Sequence, residues 1–266
     1  MGKAIAVGVV GLVISAIMLG MGFMAGRGDT AAVGPAPMAL ERSGQIDREG
    51  VEAIVYDFLI NNPEVMLDVQ SALEAREQEN RTTAARNAIS QLSGDIFNAS
   101  LDGVIGNPEG DVTIVEFFDY NCGFCKRAME DMDAVIAADP NVRFVLKEFP
   151  ILGPDSQAAH VVSKAFNSLH PENYADFHRQ LMSIDGRANE AAAIRVALQN
   201  GADEAELRQA MQDPSLGDAF ERTYTLANRL SITGTPSYVI GEDVVFGAQG
   251  ASVLFDRVEE ARSATQ

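Results

Sequence analysis

The sequence holds two cysteines, Cys122 and Cys125, set one helical turn apart. That pair constrains the fold more than any other feature. The run before it, Val112-Thr113-Ile114-Val115-Glu116-Phe117-Phe118, is β-branched and aromatic, which predicts a strand. The run after it, Lys126-Arg127-Ala128-Met129-Glu130-Asp131-Met132, predicts a helix. Two thiols at a strand-to-helix junction demand a β–α unit whose helix starts at the pair. The partial positive charge of that helix N-terminus stabilises a thiolate at the first position, and a thiolate is the form that exchanges disulfides. A static disulfide and half of a zinc site are the alternatives. Zinc takes four tetrahedral ligands, and the three histidines, His160, His170 and His178, follow no ligand spacing.

A disulfide that forms and persists needs an oxidising compartment. The N-terminus offers a route to one. Met1-Gly2-Lys3 precedes Ala4 to Gly26, a run without a charged residue that is long enough as a helix to span a hydrocarbon core of about 30 Å. It reads as an uncleaved membrane anchor, with a removed signal peptide as the alternative. In either case the body is exported, with Lys3 favouring a cytoplasmic N-terminus. The expected location is the periplasm, anchored to the inner membrane by residues 4–26. The net charge of −18 argues against nucleic acid as a partner, because phosphate contacts need a basic face. It also argues against docking on anionic lipid.

Residues 27–45 are a Gly-, Pro- and Ala-rich linker. Residues 46–93 then show helical periodicity. Val51, Ile54, Val55, Phe58 and Leu59 form one stripe, and Val65, Met66, Val69, Ala72 and Leu73 another after a helix restart at Asn62-Pro63. A helix over 63–92 would be about 45 Å long, with too little apolar surface to fold alone. It must pack on the main domain or on copies of itself. From residue 100 the main domain predicts a short strand near 101–105, a strand at 112–118, a helix at 123–138 and a strand at 142–149. A helical stretch over about 154–230, a hairpin around Gly241-Glu242-Asp243 and a closing helix at 251–262 complete it. Strands at both ends with helices between them make an α/β domain with a helical insertion.

The segment Phe117-Phe118-Asp119-Tyr120-Asn121-Cys122-Gly123-Phe124-Cys125-Lys126 resembles the active-site segment of the DsbA-like thioredoxin-fold oxidoreductases. Thr233-Gly234-Thr235-Pro236 resembles that family's cis-proline loop, and the helical stretch between them resembles its inserted helical domain. Residues 56–65 further resemble the N-terminal extension of the ScsC and Com1-like branch, which is associated with self-assembly in some members.

The resemblance implies a thioredoxin fold over residues 100–266 and thiol–disulfide exchange on cysteine-containing exported proteins. It makes Cys122 the nucleophile and Cys125 the resolving thiol, with Thr235 offering backbone to substrate beside a cis Pro236. Gly123 and Phe124, where the strongest oxidases carry an ionisable histidine, tune the pair toward a milder potential. The resemblance also puts Glu116 and Lys147 near the buried thiol, with Glu116 passing a proton to or from Cys125. The other reading is an ion pair of the two without a catalytic part. No cofactor beyond the cysteines and no metal is required. An oligomeric disulfide isomerase that assembles through 46–92 and meets a membrane redox partner is the expected role. A monomeric disulfide oxidase and a copper-binding protein using the thiol pair are the alternatives.

Overall fold

Strands covered on both sides read as unbroken apolar runs, and the two central strands of this sheet have that character. The computed structural model describes residues 47–264. The sheet has five strands: β1 (Gly103–Gly106), β2 (Val112–Phe118), β3 (Val142–Glu148), β4 (Ser237–Ile240) and β5 (Asp243–Phe246). Their order is β1-β3-β2-β4-β5. β2 and β3 run parallel, joined through the helix α4 (Gly123–Ala138), and every other pairing is antiparallel. Between β3 and β4 the chain makes α5 (Pro154–Leu169), α6 (Tyr174–Met182), α7 (Glu190–Gln199), α8 (Glu204–Ala210) and α9 (Pro214–Arg229). The helix α10 (Ala251–Ala264) closes the chain. The architecture is a mixed α/β thioredoxin-like fold with a helical part.

Each face of the sheet has its own core. Ile114, Phe118, Phe144 and Leu146 pack with Cys125, Met132 and Val135 of α4, Leu254 and Val258 of α10, and much of α5–α7. The apolar positions of α4 recur at helical spacing, so one stripe reaches the sheet while the opposite side stays wet. On the other face, Val115, Phe117, Val145 and Val239 pack with Leu226, Ala227 and Leu230 of α9. Ala88 and Ile89 of α2 (Glu64–Gln91) and Ile96 of α3 (Ser93–Phe97) join them there.

The chain forms two compact units that part between Asn61 and Asn62. In the first, α1 (Arg48–Asn61) carries no buried residue, and Val51, Ile54, Val55 and Phe58 are exposed. In the second, α2 starts at Glu64 with its N-cap position on Pro63, one residue later than the Asn62-Pro63 reading of the sequence. The first half of α2 exposes Met66, Leu67, Val69 and Leu73, whereas its C-terminal end docks through Ala88, Ile89 and a 3.0 Å Arg86–Asp243 pair. Residues 4–26, read as a membrane anchor, and the linker 27–45 lie outside the described residues. Among the described residues no helix is long and apolar enough to cross a membrane.

The strand register corrects the placing of Lys147. In the β2–β3 pair Glu116 lies opposite Leu146, and Phe117 lies opposite Lys147. Successive side chains point to opposite faces of a sheet. Glu116 therefore shares the α4 face with Ile114 and Phe118, while Lys147 shares the α9 face with Val115, Phe117 and Val145. The two are not an ion pair, and Lys147 lies on the face turned away from the thiols. It is buried and bonded instead to the Asp102 carboxylate and the Asp95 carbonyl, with Lys164 Nζ 3.8 Å from Asp102. A buried ammonium needs such a partner, because removing one member leaves an uncompensated charge.

Candidate functional site

The thiols sit where β2 turns into α4. Cys122 is the N-cap residue of α4, with φ −81° and ψ 114°, and its carbonyl accepts the Lys126 N–H at 3.0 Å. Its side chain thus lies beside the N–H groups of the first turn, which have no partner inside the helix. Both thiols are free, and Cys122 is 7% exposed against 0% for Cys125, so an incoming disulfide meets Cys122 first.

The same geometry separates their acidities. The Cys122 thiol is lowered to about 5. The largest cause is the hydrogen bond it receives from Cys125, and the Thr235 side chain and the N–H groups of Cys125 and Phe124 add to it against the opposing effect of burial. Cys125 moves the other way, far above the ordinary thiol. Burial is the main cause, followed by its bond to Cys122 and the nearby Glu116 charge. At neutral pH the arrangement therefore holds a thiolate at the accessible position and a proton at the enclosed one.

Across from Cys122 lies the loop before β4. The Thr235-Pro236 peptide is cis. As a thiol, Cys122 donates to the Thr235 carbonyl at 3.2 Å. The Ser237 hydroxyl donates to the Gly234 carbonyl at 2.8 Å, and the Gly247 N–H to the Pro236 carbonyl at 2.9 Å, so the loop is braced on both sides of the proline. Between the cysteines, Phe124 stands 59% exposed with the Arg127 guanidinium 4.4 Å from its ring centroid, a cation–π contact. Gly123 and Phe124 bring no ionisable group to the pair.

Glu116 is buried beneath Cys125, and its Oε2 has no hydrogen-bond partner among the described residues. Burial, then the Cys122 charge and Asp131, raise its carboxyl to about 8. Tyr238, paired with Glu116 across the β2–β4 ladder, is likewise pushed up by burial and by that carboxylate. An unpartnered carboxyl beside a buried thiol can hold or release a proton there.

The structure adds Asp119 and Asn121, to which the sequence assigned no part. Asp119 is fully buried and accepts four bonds. Oδ1 takes the Asn121 N–H and the Ser156 hydroxyl, each at 2.8 Å, and Oδ2 takes the N–H groups of Ile151 at 2.9 Å and Leu152 at 3.0 Å. Asn121 reaches into the helical insertion, donating to the Ala188 carbonyl and accepting the Ala188 N–H, both at 2.8 Å. Lys126 Nζ donates to the Ile184 carbonyl at 3.0 Å. These contacts fix the turn that delivers Cys122. The one signal for them in the sequence is that Asp119 and Asn121 are polar within an otherwise aromatic run before the cysteine. Among the described residues no group of three or more His, Cys, Asp and Glu is gathered as metal ligands.

Residues 113–259, more than half of the chain, match the DSBA-like thioredoxin domain, and residues 47–80 match the copper resistance protein ScsC N-terminal domain. A thioredoxin-like oxidoreductase from Silicibacter pomeroyi DSS-3 is 41% identical, with a TM-score of 0.61, covering 64% of this chain and 97% of that one. The thiol-disulfide exchange protein alpha-DsbA2 from Wolbachia pipientis is 28% identical, with a TM-score of 0.62, covering 68% and 97%. A linker-deletion variant of Proteus mirabilis ScsC shares the fold at 23% identity, with a TM-score of 0.64, covering 86% and 100%. A curated relative, the Na(+)/H(+) antiporter NhaA 3 of Salinispora tropica, is 22% identical over 139 residues, and the chain spans 21% of that protein's length. The matched region contains the thiol pair, the strand that delivers it and the cis-proline loop facing it: this chain belongs to the DSBA-like thioredoxin domain family.

Proposed function

We propose that this protein exchanges disulfides in exported, cysteine-containing proteins, and that it works chiefly by shuffling them. The observation that carries the reading is the split acidity of one thiol pair: a thiolate at Cys122 with a pKa of about 5 and a protonated, enclosed Cys125. The Cys122 thiolate attacks a substrate disulfide. One new S–S bond joins Cys122 to the substrate, and the substrate's other sulfur leaves as a thiolate. That thiolate can attack elsewhere in the substrate and rearrange it. Otherwise Cys125 attacks Cys122, forms the internal disulfide and releases a reduced substrate. A low pKa makes Cys122 a good leaving group and favours the reduced pair. Thr235, beside the cis Pro236, presents its backbone next to Cys122, where a substrate strand would pair.

Glu116 supports the resolving step as a proton acceptor. The Cys122 charge is the second cause of its raised pKa. A mixed disulfide abolishes that charge, so the carboxyl becomes more acidic at the moment Cys125 must lose its proton. Assembly through residues 46–92 would set several thiol pairs around one substrate, and the exposed apolar residues of α1 and of the first half of α2 favour that reading. The periplasm, anchoring by residues 4–26 and a membrane redox partner belong to the same proposal. A second reading, Cu(I) held by the two thiols, draws support from the match of residues 47–80 to a domain named for copper resistance.

Three outcomes follow. Reduced protein should restore activity to scrambled ribonuclease, and Cys122→Ser should abolish this. Restoration by neither protein, together with Cu(I) binding that survives a competing chelator, would instead support the copper reading. Light scattering of residues 38–266 should give a mass of more than one chain, and a monomer removes the assembly from the proposal. The third outcome concerns Glu116. Its carboxyl rises on folding from 4.5 to about 8, so the folded state holds the extra proton between those values and stability falls as pH rises through them. Glu116→Gln should therefore gain stability over the wild type across that window, on the order of 4 kcal/mol by its alkaline end, in urea unfolding of the reduced protein. Its exchange rate should also lose the pH dependence near 8, while keeping the one near 5 that belongs to the Cys122 thiolate. Parallel stability and rate curves for the two proteins contradict the proton role.

A further inference from the structure

The turn from β2 into α4 contains three successive backbone N–H groups that need acceptors before the helix begins. Two are served from within it: the Asn121 N–H by Asp119 Oδ1 at 2.8 Å, and the Cys122 N–H by the Asp119 carbonyl at 2.9 Å. The third is the Tyr120 N–H, in a residue with no exposure at all. It donates to Nε2 of His160 at 3.2 Å, from the middle of α5 in the helical insertion. A backbone N–H can only donate, so Nε2 is an acceptor, and a neutral imidazole then carries its proton on Nδ1. Nδ1 faces Glu148 Oε2 at 2.9 Å.

The carboxylate behind the ring is itself held. Glu148, the last residue of β3, accepts the Ser163 hydroxyl at 2.7 Å and the Tyr174 hydroxyl at 3.3 Å through Oε1. Both His160 and Glu148 are fully buried. The Tyr120 ring is fixed as well, its hydroxyl 2.8 Å from Ser163 Oγ and 3.2 Å from His178 Nδ1, and its face 4.6 Å from the His160 ring centroid. Glu148 thus sets the tautomer of His160 by holding the proton on the far nitrogen. His160 supplies the one acceptor that the turn before Cys122 lacks.

We propose that His160, oriented by Glu148, is a positioning residue for the exchange reaction: its Nε2 holds the Tyr120 amide and so aims Cys122 at the first-turn N–H groups of α4. The helical insertion then has a direct part in the chemistry, because it contributes the acceptor that seats the nucleophile. Without that acceptor the Tyr120 N–H is a buried, unsatisfied donor, and the turn must shift to recover a bond. Any shift of the turn moves Cys122 relative to the N–H groups of Phe124 and Cys125 that stabilise its thiolate.

This inference rests on Cys122 being the attacking thiol, and the test separates the two claims. Full-length reduced protein is treated with iodoacetamide at pH 4, below the Cys122 midpoint near 5 so that the rate follows the thiolate fraction, and the alkylated residue is mapped by mass spectrometry. Modification of Cys125 alone, or of neither thiol in the wild type, overturns the reading of Cys122 itself, whatever His160 does. With Cys122 modified in the wild type, His160→Leu, which removes the acceptor, should slow its alkylation about tenfold, the scale set by one orphaned buried donor. His160→Gln, whose side-chain oxygen can reach the Tyr120 N–H, should restore most of the rate. A folded His160→Leu protein alkylated at the wild-type rate overturns the proposal, as does a folded His160→Gln protein as slow as His160→Leu. Thermal unfolding accompanies each variant, and His160→Met replaces His160→Leu if leucine prevents folding. If neither apolar variant folds, His160→Gln decides alone: a rate near that of the wild type upholds the proposal, and a tenfold loss overturns it.

Discussion

The placing of two thiols on the first turn of α4, with Cys125 next to the Cys122 sulfur, is the constraint on which the rest of the site depends. The hydrogen bond between them is the largest single influence on the Cys122 acidity, and it raises Cys125 at the same time. The contact makes one thiol a nucleophile, and burial first, with the contact second, makes the other a guarded reserve. The contact exists because α4 begins at Cys122 and brings Cys125 round one turn later, with Cys125 on the buried stripe of the helix and Cys122 at its mouth. The first-turn N–H groups add to the effect, and a cation between the cysteines is not needed for it. Gly123 and Phe124 are accordingly free to shape the surface that a substrate meets.

The sheet assigns the remaining charges to separate chambers. Glu116 faces α4 and is left without a partner, which keeps its proton available beside Cys125. Lys147, one register step away, faces α9 and is bound to Asp102. A lysine opposite Glu116 would have neutralised the carboxylate and lowered its pKa, so turning the cation to the other face is what permits a carboxyl near 8. The separation follows from the two-residue alternation of strands, and a shift of one residue in the β2–β3 register would reverse it.

Local chemistry made the core of this site legible in advance. A thiol pair between a β-branched run and a helical one points to a β–α junction, and the resemblance of Thr233-Gly234-Thr235-Pro236 to a cis-proline loop marked the loop that faces it. What could not be read depended on register and on distant partners. Both Glu116 and Lys147 stand as charges in apolar strands, and nothing local says which face each takes. Asp119 bonds to residues on the far side of β3, Asn121 to Ala188, and Tyr120 to His160. In sequence His160 is an isolated histidine on a helix, and its part emerges only once α5 is packed against the end of β2. The helical insertion, legible as helices, gave no sign that it seats the active-site turn.

The fold itself, through the first turn of α4 and the adjoining Cys125, makes Cys122 a thiolate under ordinary conditions. Thiolate absorbance of the reduced protein, followed against pH with Cys122→Ser as the reference, tests this most directly. One transition with a midpoint near 5 is expected, lost in Cys122→Ser, with no second thiolate before the protein unfolds in alkali. A midpoint near 9, the ordinary value for a cysteine thiol, or a transition that survives in Cys122→Ser, would contradict it.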